Sequence, residues 1–252
     1  MALIKCPDCG REVSLEAPAC PECGRPLEDI FAAISEGDMA KVQELLVSNP
    51  ELAKAYEGGL TPLHLAIRKG HPGIAELLIS HGADVHAKDN QGVLPLEAAA
   101  FKGYTKVMAD LIERGADVNA IPGHLTVLQM AVGQGHREAA ELLIAHGADV
   151  NARGGGGFTA LHTAVNKDKK DLVELLIAHG ADLNARFVQN NGRSTPLGLA
   201  SMQGRREIAE ILRAHGGAAA GCGVWVACGF LLLAGGAVLQ VASWWTGTSE
   251  HS

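Results

Sequence analysis

Residues 59–92 read GLTPLHLAIRKGHPGIAELLISHGADVHAKDNQG. Two parts of this stretch return along the chain. The tetrad His81–Asp84 (HGAD) recurs at His146–Asp149 and His179–Asp182, and as RGAD at Arg114–Asp117. The opening Thr61-Pro62-Leu63-His64 returns in altered form at Leu94–Glu97, Thr126–Gln129, Thr159–His162 and Thr195–Gly198. Successive openings are 33, 32, 33 and 36 residues apart. A fixed period of this length marks an architecture of stacked, near-identical units.

Each unit reads as two short helices. A hydroxyl at Thr61, Thr126 or Thr159 suits a helix N-cap, and Pro62 suits the first turn, where its missing N–H is not needed. Gly70, Gly103 and Gly135 stand where a first helix would stop. Second helices carry Leu77-Leu78-Ile79, Leu142-Leu143-Ile144 and Leu175-Leu176-Ile177, and end at the tetrad glycines. One unit alone leaves an apolar face exposed, so the units must stack. Residues 27–58 lack the Thr-Pro opening and read as an atypical end unit; residues 194–217 read as the last unit. The segment Phe187–Arg193 adds three residues to the loop between the last two units.

These motifs resemble the ankyrin repeat, and the resemblance covers about three quarters of the chain. It implies an all-α solenoid of about six helix–turn–helix repeats over residues 27–217, binding other proteins on its concave face. Carried onto this sequence, the variable positions just before each first-helix stop are Arg68, Lys69, Phe101, Lys102, Asn166, Lys167 and Met202. With the adjacent Tyr104 and the loop-tip residues Phe187 and Val188 they form the expected protein-binding set. Phe101, Tyr104, Phe187 and Met202 are its expected exposed apolar anchors, because buried aromatic side chains dominate interface energetics.

Residues 1–26 carry Cys6-Pro7-Asp8-Cys9-Gly10 and Cys20-Pro21-Glu22-Cys23-Gly24. Four thiolates in two closely spaced pairs suit a closed tetrahedral Zn²⁺ site. The segment is too short to bury a useful core, so metal binding would supply its folding energy. It resembles a short zinc ribbon with Cys6, Cys9, Cys20 and Cys23 as ligands of a structural zinc. Rubredoxin-like iron and redox disulfides are the rival readings. The start of the chain has no apolar signal core, and paired CxxC units in a reducing compartment favour metal over disulfide.

Residues 218–245 contain no charged side chain. An uncharged run of this length suffices for one transmembrane helix. Trp225, Trp244 and Trp245 stand near its ends, as interfacial aromatics do. Arg205, Arg206 and Arg213 precede it, while the tail 246–252 has no Lys or Arg. The positive-inside rule then predicts a single-pass membrane protein with ribbon and array cytoplasmic. A helix docked on the end of the stack is the competing reading. Gly217 and Gly221 have the spacing of a helix-packing motif but read better as a hinge, so homo-oligomerisation is not supported.

The 252-residue chain has 21 Lys and Arg against 28 Asp and Glu, a net charge of −7. That balance argues against a broad phosphate-binding surface, so nucleic acid is not the expected partner. No P-loop, GxSxG or HExxH motif is present, and Gly154–Gly157 is followed by Phe158-Thr159 rather than Lys-Ser. No enzymatic activity is predicted. The histidines recur with the repeat, one unit apart, and read as structural. The sequence therefore predicts a membrane-anchored adaptor or scaffold with an unidentified protein partner. Its alternatives are a nucleic-acid-linked regulator acting through the ribbon and a metal-gated sensor.

Overall fold

The fold is that of a computed structural model, which describes residues 3–5, 11–14, 30–121, 124–189 and 192–219. Near the N-terminus, β1 (Leu3–Lys5) pairs antiparallel with β2 (Glu12–Ser14), setting Lys5 opposite Glu12. The pairing brings together the two ends of the segment that carries Cys6 and Cys9. The four cysteines themselves lie outside the described residues, as does almost all of the predicted span 218–245. Among the described residues no helix is long and apolar enough to cross a membrane.

From Ile30 the chain runs as six helix pairs. They are α1 (Ile30–Glu36) with α2 (Met39–Ser48), α3 (Pro62–Lys69) with α4 (Pro72–Ser80), and α5 (Pro95–Lys102) with α6 (Thr105–Glu113). Then follow α7 (Val127–Gln134) with α8 (Arg137–Ala145), α9 (Ala160–Asn166) with α10 (Lys170–Ala178), and α11 (Pro196–Met202) with α12 (Arg206–Ala214). The predicted helical repeat array is thus present. The longer loop between the last two pairs adds a feature not anticipated: β3 (Phe187–Gln189) pairs antiparallel with β4 (Gly192–Ser194).

Local chemistry explains the helix ends. The Oγ1 of Thr61 accepts from His64 N–H at 3.3 Å, that of Thr126 from Gln129 N–H at 3.1 Å, and that of Thr195 from Gly198 N–H at 3.2 Å. Thr159 departs from the expected cap: its hydroxyl lies 2.9 Å from His162 Nδ1 rather than holding a backbone N–H. The first helices stop in a left-handed turn at Gly70 (φ 94°) and Gly103 (φ 74°). In the fifth repeat that left-handed place falls to Asp168 (φ 58°), whose Oδ2 takes a hydrogen bond from Arg205 Nη1 of the next repeat at 2.7 Å. Asp tolerates this conformation better than most residues.

One continuous core joins the repeats. Leu63, Ile67, Ala66, Leu78 and Ile79 are fully buried, and their counterparts Leu96, Ala99, Leu111, Leu128, Val132 and Leu143 continue the layer. Successive first helices pack more closely than successive second helices do, so the first helices line the inner side of the stack. The second turns are stitched by asparagines. Asn119 Nδ2 donates to Gly147 O at 3.1 Å while its Oδ1 accepts from Asp149 N–H at 2.8 Å. Asn151 repeats this with Gly180 O and Asp182 N–H at 3.0 and 2.7 Å.

Candidate protein-binding surface

The fourth residue of each opening motif is the part of the site machinery that fixes one repeat on the next. His64 is fully buried. Its Nδ1 lies 2.8 Å from Thr61 Oγ1, and its Nε2–H donates to the Val93 carbonyl of the following repeat at 3.0 Å. Gln129 does the same work with an amide. Its Oε1 accepts from Thr126 N–H at 2.8 Å, and its Nε2 donates to Phe158 O at 2.7 Å. Glu97, almost fully buried, accepts from Leu94 N–H at 3.4 Å. Burial pushes its carboxyl above the usual carboxylate range, and the nearby Asp89 charge adds to the rise.

His162 holds the fourth such place and behaves differently. Its Nδ1 accepts from Thr159 N–H at 3.3 Å, so the proton of the neutral ring sits on Nε2. That Nε2 is buried without a hydrogen-bond partner. The carbonyls of Ser194 and Ala185 face it and partly raise its pKa, but burial dominates and lowers it to about 4. Phe158 and Phe187 pack on the ring instead, at centroid separations of 5.4 and 4.8 Å, and lie 4.2 Å from each other. The histidines at this position are structural, as their recurrence implies.

These junctions present the ends of the first helices on the inner side. Arg68 is half exposed, with Nη1 3.8 Å from Asp89 Oδ2. Lys69, Lys102, Asn166 and Lys167 are exposed. Phe101 is 49% exposed and Met202 72% exposed. Asn166 Oδ1 accepts from Gln203 Nε2 of the next repeat at 2.7 Å. Behind this row lie the partly buried Leu65, Ala98 and Met130, which the variable positions alone do not reveal.

Two expected anchors are corrected. Phe187 is 2% exposed and belongs to the core, because β3 turns it inward against Phe158 and His162. Tyr104 is half-buried and packs against the core, with its hydroxyl beside Gly70. Val188 falls in β3, and its side chain lies outside the described residues. Asp89, in the loop between α4 and α5, is 7% exposed and caps its own turn, its Oδ1 accepting from Gln91 N–H and Val93 N–H at 2.8 and 2.9 Å. Among the described residues no group of His, Cys, Asp and Glu is placed to hold a metal ion.

The comparisons with known proteins agree with this architecture. The family described as "Ankyrin repeats (3 copies)" matches residues 30–122 and 128–222. A 2-5A-dependent ribonuclease of Mus musculus is 43% identical over 61 residues, 23% of this chain and 8% of the ribonuclease. An E3 ubiquitin-protein ligase of Arabidopsis thaliana is 44% identical over 64 residues, 25% of this chain and 12% of the ligase. Protein phosphatase 1 regulatory subunit 27 of Homo sapiens is 36% identical over 64 residues, 25% of this chain and 42% of the subunit. The chain therefore spans less than half the length of each of these relatives. The two family matches cover most of the sequence, and the chain belongs to the ankyrin repeat family, whose arrays bind other proteins.

Proposed function

We propose that this protein is a membrane-anchored adaptor that offers the inner face of its ankyrin array to a protein partner in the cytoplasm. It acts by binding rather than by catalysis. The observation that carries the reading is the row of exposed first-helix ends, where Phe101 and Met202 stand in water among charged and amide side chains. Large apolar groups held on a rigid inner face favour burial by a partner.

Two flanking features support the rest. The uncharged residues 218–245 would supply one spanning helix, with Arg205, Arg206 and Arg213 on the cytoplasmic side. The chain leading into that run is tied to the array. Thr195 Oγ1–H donates to Ala218 O at 2.6 Å, and Ala218 N–H donates to Asn184 Oδ1 at 2.8 Å. At the other end, Cys6, Cys9, Cys20 and Cys23 form a donor set suited to structural Zn²⁺, and the pairing of β1 with β2 suits a ribbon.

Alkaline carbonate extraction of membranes carrying the full chain tests the anchor. Retention in the pellet is expected, and release into the supernatant sinks it. Metal analysis of the purified chain tests the ribbon. Zinc is expected to be bound, and to be lost on Cys6→Ser or Cys20→Ser; a preparation without zinc in which those variants change nothing rules it out.

A further inference from the structure

The charges of the array are sorted by helix. Exposed carboxylates gather on the second helices, among them Glu113, Glu138, Glu141, Asp171 and Glu174. On α6, α8 and α10 the cations Lys106, Arg137 and Lys170 are answered: Lys106 is bonded to Glu76, Arg137 lies 2.9 Å from Glu141, and Lys170 lies 3.3 Å from Glu207. Arg206 and Arg213 on α12 lie beyond the repeats that carry the row. The inner ends of the first helices are the reverse. Lys69, Lys102 and Lys167 are exposed and have no ion pair among the described residues. Glu36, in the corresponding place of the first repeat, bounds the cationic row on that side, and the neutral Gln134 holds that place in the fourth repeat. Phe101 stands beside Lys102 in the middle of the row.

We infer that the inner face of repeats two to five binds an acidic, extended segment of a partner protein that carries an apolar side chain for Phe101. This rests on the reading of that face as the protein-binding surface and names the chemistry of its ligand. In a chain of net charge −7, a cationic row without counter-charges is where an anionic segment gains attraction. Neighbouring helices lie roughly 8–10 Å apart, and an extended chain rises about 3.3 Å per residue. Lys69 and Lys102, one repeat apart, therefore match carboxylates about three residues apart in such a segment. Lys167, two repeats further on, matches a third about six residues beyond. Three such lysines a repeat or more apart, in a chain of net charge −7, are too few for a phosphate backbone and suit a polypeptide with spaced carboxylates.

Selection from a random peptide display library on the full chain in detergent micelles tests this. Enrichment of peptides with Asp or Glu at that spacing and a large apolar residue supports it. A synthetic peptide of the enriched sequence is then expected to bind about tenfold more weakly to Lys69→Glu/Lys102→Glu. It should also weaken as salt rises from about 0.1 M to about 1 M. Phe101→Ala should reduce binding, and Glu138→Lys on the outer side should not. Circular dichroism of each variant separates lost binding from lost folding, and Lys69→Met/Lys102→Met offers a milder change.

Enrichment of neutral or basic peptides that depend on Phe101 overturns the acidic ligand while the binding surface stands. Peptides that bind without regard to Phe101, Met202 or the lysines, or no enrichment at all, overturn both. Single-stranded DNA competing as well as the peptide at equal charge also overturns the inference.

Discussion

Two junctions of the array solve the same problem in opposite ways. Between the fourth and fifth repeats, Gln129 links Thr126 N–H on its own repeat to Phe158 O on the next, at 2.8 and 2.7 Å. Between the fifth and sixth, the step lengthens to 36 residues and His162 Nε2 is left without a partner. There the contact is aromatic, with Phe187 packed on Phe158 and His162. The first junction is specified by hydrogen bonds, the second by shape. A few residues of extra loop suffice to exchange one for the other, because the relay needs an acceptor at a fixed offset and the plug needs only volume.

The comparison breaks most visibly at Phe187. Phe187→Ala removes the plug and strips the buried His162 ring of its aromatic neighbour. A loss of about 3–5 kcal/mol is expected. In urea denaturation followed by circular dichroism the midpoint should fall sharply, with the last repeat melting first. An unchanged midpoint would show that the aromatic cluster holds nothing together. Gln129→Ala comes next, at about 2–3 kcal/mol, because it strands Thr126 N–H and Phe158 O in the interior. Gln129→His should recover part of this, since His64 performs the same relay elsewhere.

These two junctions also divide what the sequence discloses from what it hides. Threonine caps, glycine stops and the Leu-Leu-Ile runs act within a few residues, so period and helix placement are legible directly. Exposed ends such as Lys69, Phe101 and Met202 follow once the period is known. Phe187 does not follow. Loops are usually polar and exposed, and its burial depends on Phe158 and His162, respectively 29 and 25 residues earlier. The hairpin that turns it inward arises only from how the extra residues pair. Asp89 is hidden for a related reason: it stands in a polar loop, residues 88–92, but its carboxylate serves the backbone of its own turn.

Acid sharpens the contrast. The His162 pKa is about 4 in the folded protein against an ordinary 6.5, so the unfolded chain takes up the proton first. His64 is shifted in the same direction by burial. The contribution of these two histidines should be full above pH 6.5 and fall as pH drops towards 4, at up to about 1.4 kcal/mol per pH unit for each group. His162→Gln removes one titrating ring and leaves the His64 contribution. Urea midpoints at a series of pH values should therefore show a shallower acid slope in that variant. An equal slope would place the acid sensitivity elsewhere.

Glu97 is the smallest test and the most direct. It stands where Gln129 and His64 stand, yet a carboxylate cannot donate to the next repeat as they do. Its pKa is raised above 4.5 by burial and by the Asp89 charge, so the folded state disfavours its ionised form. Its contribution to stability is present at low pH and lost as pH rises through the folded value. Glu97→Gln keeps an oxygen for Leu94 N–H and supplies the kind of amide donor that Gln129 uses at the following junction. A gain of about 1 kcal/mol is expected at neutral pH. The gain should shrink near pH 4, where the wild-type carboxyl is protonated and supplies a donor of its own. Thermal midpoints of both proteins at the two pH values measure this, and the histidine contributions cancel in the difference. A gain that is equal at both would mean the amide helps by shape alone; a loss at neutral pH would mean that the buried carboxylate is held by a partner cation, such as Arg68 acting across Asp89.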